Sequence, residues 1–322
     1  MSCRMEPVQS SKHGRRVVTG GSTRRVKQVP ARHRREPYNG KAEAAGSSST
    51  SGTLIIIGGR EDKTNGKQIL SRVAKTAAGG RLVVCTVASS ESPEELWNDY
   101  KHLFRDLGVK DLAHLQIEHR EGGAAEEQMK TLDHASVVFF TGGDQLRITS
   151  KIEGTAIADR IRQIYAEGGT IAGTSAGASV MSETMLVSGP GSASYRVSQD
   201  LSMAPGLGLM RDAIIDQHFA ERRRLGRLLG AVAQNPRLLG IEIDEDTAIV
   251  VDRKRQCEVL GSGAVDIVDG RDVTCTNISE EQTDGTMSIF DVRLHVLSQG
   301  DGFDIATHRP TSCPAKSIGR HR

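Results

Sequence analysis

Ser175 stands at the centre of Gly173-Thr-Ser-Ala-Gly177, which follows a short apolar run and precedes a helix start. A serine at the tip of a tight strand-to-helix turn needs small neighbours, because both flanks approach other backbone closely. The helix that follows points its free N–H groups at the same spot. The pattern therefore predicts a nucleophile elbow, with the Ala176 N–H as one donor of an oxyanion hole. An ordinary Gly-rich turn is the alternative, since three small residues at this spacing also occur by chance.

A nucleophilic serine needs a base, and the base needs an orienting acid. His218 lies at the end of a predicted strand, Ala213–Phe219, well after Ser175 in the chain. The next predicted strand, Leu238–Ile243, is followed by three carboxylates, Asp244, Glu245 and Asp246. This order predicts a serine–histidine–acid triad. Spacing alone does not choose among the three acids, because each of them could instead cap a turn.

Two glycine pairs also lie at the ends of predicted strands. Leu54–Ile57 is followed by Gly58-Gly59, and Ser136–Thr141 is followed by Gly142-Gly143. Because ligands bind at the carboxyl ends of parallel strands, we expect both pairs to share one site with Ser175. Gly143 is the candidate for the second oxyanion donor. Neither pair belongs to a G-x-G-x-x-G or P-loop pattern, so a nucleotide site is not indicated.

Several arginines follow His218. The helix predicted over residues 220–233 carries four apolar residues on one face, Leu225, Leu228, Leu229 and Val232. Roughly opposite them, on the predicted polar face, are Arg223, Arg224 and Arg227, with Arg222 beside them. By itself this pattern is typical of a solvated helix face. The proximity of the helix to His218 makes a place beside the catalytic cleft the second interpretation.

Predicted strands and helices alternate through the first half of the chain. The strands cover residues 54–57, 81–87, 112–118 and 136–141, and the helices cover 65–78, 91–107, 124–132 and 155–167. Such alternation is typical of a mostly parallel α/β sheet flanked by helices. Residues 185–210, rich in Gly, Ser and Pro, are expected to form a loop. The short strands after Leu238 are expected to finish the sheet in antiparallel fashion.

Composition excludes several classes of protein. The chain has 322 residues and a net charge of +2. No stretch approaches the roughly 18 apolar residues of a membrane span, and no apolar signal follows the basic N-terminal residues. The five cysteines include no C-x-x-C pair, so neither a disulfide framework nor a zinc site is indicated. We therefore expect a cytoplasmic protein with reduced thiols, without a metal site or a membrane association.

The two ends of the chain differ from its middle. Residues 1–52 hold eleven Lys and Arg against three Glu, and they end in a Ser/Gly-rich linker composition. Such a segment cannot bury enough apolar surface to pack, so we expect a basic disordered extension. Apart from Tyr38 it lacks interleaved aromatic residues, which argues against specific nucleic-acid binding. Residues 298–322 show little periodicity and are expected to form a disordered tail, which leaves 53–297 as the folded domain.

Five segments of the chain keep the order and spacing of one family pattern: Phe140–Gln145, Gly173–Met181, Ala204–Leu209, Asp216–Leu229 and Ile243–Ala248. On these segments the chain resembles the cyanophycinases, serine hydrolases of the dipeptidase E-like peptidase group. The resemblance covers about residues 53–297 and leaves both ends of the chain outside.

This resemblance implies a class I glutaminase-like (flavodoxin-like) α/β fold with antiparallel C-terminal strands. The implied substrate is cyanophycin, a poly-aspartate backbone with arginine amide-linked to each side-chain carboxyl. The implied reaction is exo-type cleavage that releases β-Asp-Arg dipeptides, by a homodimer that needs no cofactor. The nucleophile falls on Ser175, the base on His218 and the orienting acid on Glu245. The implied substrate-binding residues are Gln145, Asp216, Gln217, Arg222, Arg224 and Arg227.

Two positions depart from the family pattern. Arg223 stands where a small residue is common, and Glu242 stands where a glycine is usual. Either residue can alter substrate affinity, and neither belongs to the predicted triad.

Two other functions stay open. A dipeptidase of the same group, acting on α- or β-aspartyl peptides, would share Ser175 and His218 but would not need the arginines. A non-catalytic binding protein on the same scaffold would have no use for all three triad partners. The arginines and the complete set of triad residues therefore favour hydrolysis of cyanophycin.

Overall fold

Five parallel strands form one half of the largest sheet in this computed structural model, which describes residues 52–89, 92–120, 125–188, 201–218, 225–279 and 285–312. All of them belong to the unit Ser48–Arg322. The parallel strands are β1 Thr53–Ile57, β2 Arg81–Cys85, β3 Leu112–Leu115, β4 Ala135–Phe140 and β5 Thr170–Thr174. All five agree with the strands predicted from the apolar runs. The predicted basic extension lies outside the described residues, apart from Gly52.

Six helices accompany these strands: α1 Gln68–Thr76, α2 Pro93–Asp106, α3 Ala125–Thr131, α4 Gln145–Ile152, α5 Ala156–Ala166 and α6 Ala176–Ser179. The α4 helix was not predicted. Its beginning is capped by Asp144, whose side chain accepts a hydrogen bond of 2.8 Å from the Leu146 N–H. Ile148 and Ile152, one turn apart, are both buried. A capping aspartate followed by two isoleucines at helical spacing was therefore the available signal.

The second half of the chain is mainly strands. Its elements are β6 Thr184–Ser188, β7 Ser202–Pro205, β8 Ala213–Gln217, α7 Leu225–Gln234, β9 Leu239–Ile243, β10 Thr247–Val251, β11 Gln256–Gly261, β12 Val265–Asp269, β13 Cys275–Thr276, β14 Ile289–Phe290, β15 Arg293–Leu297, β16 Gly302–Asp304 and β17 Arg309–Ser312. The expectation of a loop over residues 185–210 was wrong in part, because β6 and β7 pair with each other there. The segment is rich in glycine, serine and proline, which are typical of loops, so its composition did not predict these short strands.

The largest sheet has nine strands in the order β17-β16-β11-β10-β1-β5-β4-β2-β3. β1 marks the change of direction, because it pairs in parallel with β5 and antiparallel with β10. A second sheet has the order β15-β12-β9-β8, with β8 and β9 parallel and the other pairs antiparallel. The predicted antiparallel finish to the main sheet therefore holds for β10 and β11. β9, β12 and β15 instead join β8 in the second sheet.

Both faces of β1, β2 and β4 are covered, which explains the apolar runs within these strands. Neighbouring residues of β1 point to opposite faces. Ile55 packs in a cluster with Leu70 of α1 and Phe104 of α2. Ile56 packs in a second cluster with Ile161 of α5 and with strands of the second sheet. Fully burying each such side chain contributes about 1.5–3 kcal/mol to folding.

The end of the described chain differs from its prediction as a disordered tail. Residues 298–312 continue the main sheet, where β16 pairs with β11 and β17 pairs with β16. Phe303 and Ile305 are fully buried in the main core. The strands are only three and four residues long and are separated by polar turns, so they show no useful periodicity.

The predicted α/β class is confirmed: a mostly parallel sheet flanked by helices, extended by antiparallel strands from the C-terminal part of the chain. In such sheets the carboxyl ends of the parallel strands form the binding edge. The adjacent strands β1, β5 and β4 bring to that edge the three glycine-containing strand ends that the sequence singled out. Within the described ranges, no helix is long and apolar enough to cross a membrane.

Candidate active site

Ser175 lies at the turn between β5 and α6. Its φ of 54° and ψ of −111° are unusual for a residue with a side chain. Its N–H donates to the Ile57 carbonyl at 3.0 Å, so the turn is tied to the end of β1. A Cβ on Gly173 would lie 2.3 Å from the Gly177 carbonyl oxygen, and one on Gly177 would lie 2.4 Å from the Phe140 oxygen. Close backbone contacts therefore require both glycines, as the sequence argument predicts.

His218 follows β8, and its ring faces Ser175. The Ser175 Oγ and His218 Nε2 are 2.9 Å apart. The His218 backbone adopts a positive φ of 59°, and its N–H donates to the Gly58 carbonyl at 3.2 Å. His218, which follows a strand of the second sheet, is thus hydrogen-bonded to the residue that follows β1 of the main sheet. The histidine is 7% exposed, so its ring is largely shielded from water.

Glu245 lies in the turn between β9 and β10, with its Oε1 2.7 Å from His218 Nδ1. Because a carboxylate accepts, Nδ1 carries the ring proton and Nε2 is left to accept the hydrogen bond from the Ser175 hydroxyl. The carboxylates of the two neighbouring acids instead accept hydrogen bonds from backbone N–H groups. Asp244 accepts from the Ala264 N–H at 2.8 Å, and Asp246 accepts from the Asp62 N–H at 2.9 Å. The structure thus separates three carboxylates that spacing could not.

Gly59 leaves the space that the histidine ring occupies. It has a φ of +113°, and a Cβ built on it would lie 2.2 Å from His218 Cε1. The Gly59 carbonyl also accepts from the Asp246 N–H at 2.8 Å. The next residue, Arg60, places its Nη1 3.3 Å from Glu245 Oε2. The glycine pair after β1 is therefore part of the packing around the histidine and the acid.

Gly142 and Gly143 follow β4 on the other side of Ser175. A Cβ on Gly142 would lie 3.5 Å from the Ser175 Cβ, and one on Gly143 would lie 2.4 Å from the Ala88 carbonyl oxygen. The N–H groups of Gly143 and Ala176 donate no hydrogen bond to any residue that the structure describes. Gln145 begins α4, and its side-chain amide donates to the carbonyls of Leu186 and Val187, at 3.3 and 3.4 Å.

Asp216 and Arg227 form a buried ion pair. Arg227 Nε lies 2.7 Å from Asp216 Oδ2, and Arg227 Nη2 donates to Asp216 Oδ1. The side chain of Arg227 is 7% exposed and that of Asp216 is 1% exposed. Arg227 is therefore not on a solvated helix face, which corrects the expectation from periodicity. The helical periodicity did not predict this inward position, because it treats a guanidinium as polar and therefore exposed. Here a buried carboxylate accepts the hydrogen bonds of the guanidinium.

Gln217 is also buried, and its Oε1 accepts no hydrogen bond from the described part of the chain. Glu242, the second departure from the family pattern, is buried directly opposite Asp216 in the pairing of β8 with β9. Arg222, Arg223 and Arg224 lie outside the described residues. Across the described ranges, no group of three or more His, Cys, Asp or Glu side chains is placed to hold a metal ion.

The sequence argument missed the charged residues that follow Gly59. Asp62 accepts hydrogen bonds from the N–H groups of Asn65 and Lys67, at 2.9 and 3.0 Å. Backbone donors of this kind, that of Asn65 foremost, hold the pKa of Asp62 well below its usual range. The run Arg60-Glu-Asp62 directly after a double glycine at a strand end was the available signal.

Comparison with known proteins identifies the family. Residues 54–258 match the model of Peptidase family S51. The chain is 38% identical over 264 residues to a cyanophycinase from Synechococcus elongatus, covering 81% of this chain and 82% of that protein. It is also 38% identical over 261 residues to a cyanophycinase from Geminocystis herdmanii, covering 80% and 95%.

A solved structure supports the fold. The crystal structure of a peptidase from an acI-B1 Actinobacterium matches with a TM-score of 0.57 at 20% identity, over 80% of this chain and 98% of that one. The family match over residues 54–258 and the two relatives at 38% identity show that the protein is a serine-type peptidase and belongs to Peptidase family S51.

Proposed function

We propose that this protein is a cyanophycinase, an exo-type serine hydrolase that cleaves the poly-aspartate backbone of cyanophycin and releases β-Asp-Arg dipeptides. The observation that carries the chemistry is the hydrogen-bonded chain from Ser175 Oγ through the His218 ring to Glu245 Oε1, with separations of 2.9 and 2.7 Å. The substrate rests on the cyanophycinase relatives, which match this chain over about four fifths of its length.

Ser175, at a nucleophile elbow, attacks the carbonyl carbon of the scissile peptide bond while His218 Nε2 takes the hydroxyl proton. Glu245 stabilises the imidazolium that forms. The oxyanion of the tetrahedral intermediate accepts hydrogen bonds from the N–H groups of Ala176 and Gly143. His218 then returns its proton to the leaving amine, and an acyl-enzyme remains. Water, deprotonated by the same histidine, hydrolyses the acyl-enzyme and restores Ser175.

Each repeat of cyanophycin presents a free carboxylate and a guanidinium. We propose that Arg222 and Arg224 bind carboxylates through paired hydrogen bonds. Arg227 joins them through its Nη1, which donates no hydrogen bond to the described residues while Nε and Nη2 hold Asp216. Gln145 and Gln217 serve the guanidinium and backbone groups of the substrate, and Asp216 contributes to binding by holding Arg227 in place. The buried Oε1 of Gln217 supports this role, since a buried acceptor ordinarily has a donor.

An aspartyl dipeptidase is the alternative within the same group, and substrate selectivity separates the two functions. The experiment compares kcat and KM on purified cyanophycin and on an unbranched aspartyl peptide, for the wild type, Arg224→Ala and Arg224→Lys. Losing one charge-assisted hydrogen bond costs about 1.5–3 kcal/mol, or roughly ten- to a hundredfold in affinity. We expect Arg224→Ala to raise KM by that factor on cyanophycin alone.

Arg224→Lys should recover part of the loss, because a point charge does not reproduce the planar fork of a guanidinium. Arg253→Ala, which removes an exposed arginine from the turn between β10 and β11, is the control and should change neither KM. An equal effect of Arg224→Ala on both substrates, or no effect on either, would favour the dipeptidase.

We also propose that the protein is a cytoplasmic homodimer. The homodimer rests on the family resemblance, and light scattering on the full chain should give twice the chain mass. The cytoplasmic location is supported by unpaired thiols: Cys85 and Cys257 are buried and free. Burial raises the pKa of both thiols to about 12, so they stay protonated and unreactive at neutral pH.

A further inference from the structure

Glu61 is a buried carboxylate beside the nucleophile that the proposed mechanism does not use. It is 5% exposed and follows the Gly58-Gly59 pair after β1. One oxygen accepts a hydrogen bond of 2.5 Å from the Tyr100 hydroxyl, and the other accepts one of 2.6 Å from the Thr174 hydroxyl. A buried charge is costly unless it is hydrogen-bonded, so both donors matter to it.

Thr174 connects this carboxylate to the reacting serine. It is the last residue of β5 and immediately precedes Ser175, and it is itself 4% exposed. Tyr100, on α2, forms the fixed end of the arrangement. Burial in the first place, and then the charge of Glu61, raise the pKa of Tyr100 well above its usual value. The tyrosine therefore stays protonated at neutral pH and can donate to Glu61.

The segment that carries Glu61 also contacts the other two members of the site. In this bracing segment, Gly58–Asp62, the first carbonyl accepts from the His218 N–H. Arg60 reaches Glu245. Through the Asp62 N–H the segment donates to Asp246, next to Glu245. Five consecutive residues thus touch the strand of the serine, the histidine and the turn of the acid.

We propose that Glu61 is a positioning residue that sets Ser175 relative to His218 by holding the Thr174 side chain. Ser175 has a positive φ, a conformation that persists only where its surroundings over-determine it. The 2.9 Å contact between Ser175 Oγ and His218 Nε2 depends on that conformation. A shift of about 1 Å in reacting groups can cost a hundredfold in rate. Glu61 itself never contacts the substrate, and its role rests on the proposed hydrolase function.

The test compares Thr174→Val, Glu61→Ala and Glu61→Gln. Thr174→Val removes the hydroxyl while keeping a β-branched side chain. In Glu61→Gln the amide oxygen can still accept from Thr174, and the amide nitrogen can donate to the Tyr100 oxygen. Ser136→Ala is the matched control, because Ser136 donates a hydroxyl hydrogen bond to the Ala77 carbonyl near the amino end of the neighbouring strand β4.

Two assays are used. The first gives kcat and KM on cyanophycin. The second gives the rate at which a fluorophosphonate labels Ser175, which reports on the serine–histidine pair whatever the natural substrate is. Thr174→Val and Glu61→Ala should slow labelling and lower kcat by about ten- to a hundredfold, with KM changed less than about twofold. Glu61→Gln should recover most of both rates, and Ser136→Ala should leave both unchanged.

If Thr174→Val labels and turns over within about twofold of Ser136→Ala, Glu61 is only a packing residue and the proposal is wrong. Should Glu61→Ala fail to fold, Thr174→Val still decides. An absence of cyanophycin hydrolysis by the wild type would instead contradict the proposed function, and labelling would still test the role of Glu61.

Discussion

Glu245 contacts two cationic or potentially cationic groups that differ greatly in their surroundings. His218 and Glu245 have side chains that are 10% and 16% exposed, at 2.7 Å. Arg60 lies 3.3 Å from the other carboxylate oxygen, but its side chain is 76% exposed. Exposed ion pairs contribute about 0–1 kcal/mol, because water and salt screen them. The proposed mechanism therefore relies on the contact of Glu245 with His218 and not on its contact with Arg60.

Replacing Glu245 by Gln keeps the size of the side chain and removes its charge. We expect Glu245→Gln to lower kcat by about 10²–10⁴-fold, because the amide can stabilise the wrong tautomer of His218 and does not stabilise the imidazolium. KM should change little. Glu258→Gln is the control, since Glu258 is an exposed carboxylate on β11. A Glu245→Gln enzyme with more than a tenth of the wild-type kcat would show that another group orients the histidine.

The sequence allowed us to predict which segments of the chain form the site, but not the directions in which their side chains point. Ser175 and His218 follow from their places at strand ends. Glu245 was named by the family resemblance, whereas spacing left it equal to Asp244 and Asp246. Successive residues of a tight turn point in different directions, and the choice among them depends on which backbone N–H groups lie nearby. Such tertiary contacts are absent from a one-dimensional pattern.

At the scale of elements, the turn that follows β1 packs directly against the His218 ring. Gly59→Ala should lower kcat by about 100-fold or more, because the new Cβ would occupy the position of the His218 ring. The control is Gly108→Ala. Gly108 also has a positive φ, of +89°, but a Cβ there would meet nothing within 4 Å. That variant should lose about 1 kcal/mol of stability and keep its kcat. Equal kcat in both variants would contradict the packing argument.

Asp269, at the end of β12, connects the second sheet to the turn before β17. Burial would raise the pKa of Asp269, but hydrogen bonds from the side chain and backbone of Arg271, together with the His308 ring 3.2 Å away, outweigh it and lower the pKa to about 2. A depressed folded-state pKa adds stability above the unfolded value of about 3.8, and this stability is lost as the pH falls towards 2.

We therefore expect the difference in unfolding free energy between the wild type and Asp269→Asn to be largest above pH 4 and to shrink between pH 4 and pH 2. Urea titrations at several pH values measure it. Asp133→Asn, at an exposed carboxylate in the turn before β4, is the control and should differ little from the wild type at any pH. A difference between the wild type and Asp269→Asn that is constant down to pH 2 would contradict the assignment.

Elements with long apolar runs or clear helical spacing were predictable, and short ones were not. β1 and β4 contain the unbroken apolar runs Leu54–Ile57 and Val137–Phe140, because these residues are buried on both faces of the sheet. β6, β7, β16 and β17 have three to five residues each, which is too short for a periodicity to show in the sequence. The division into two sheets was also unpredictable, because periodicity reports that a strand exists and not which strand it pairs with.

Across the whole molecule, the last described residues complete the main sheet. A chain that ends after Leu297 would lose Phe303 and Ile305 from the core. Losing a buried Phe or Ile side chain costs about 2–5 kcal/mol, so we expect the Tm to fall by about 10 °C or more, or the protein to aggregate. A chain that ends after Ser312 is the control and should melt within about 2 °C of the full chain. Equal Tm values for both truncations would restore the interpretation of residues 298–312 as a tail.

At the centre of the proposed function is the cleavage of the cyanophycin backbone from its end by Ser175. The most direct measurement is mass analysis of the products after purified cyanophycin is incubated with the full-length wild type and with Ser175→Ala. We expect β-Asp-Arg dipeptides as the main product from the first stages of digestion, and a rate lower by several orders of magnitude with Ser175→Ala. Free arginine, longer internal fragments, or equal product from Ser175→Ala would contradict it.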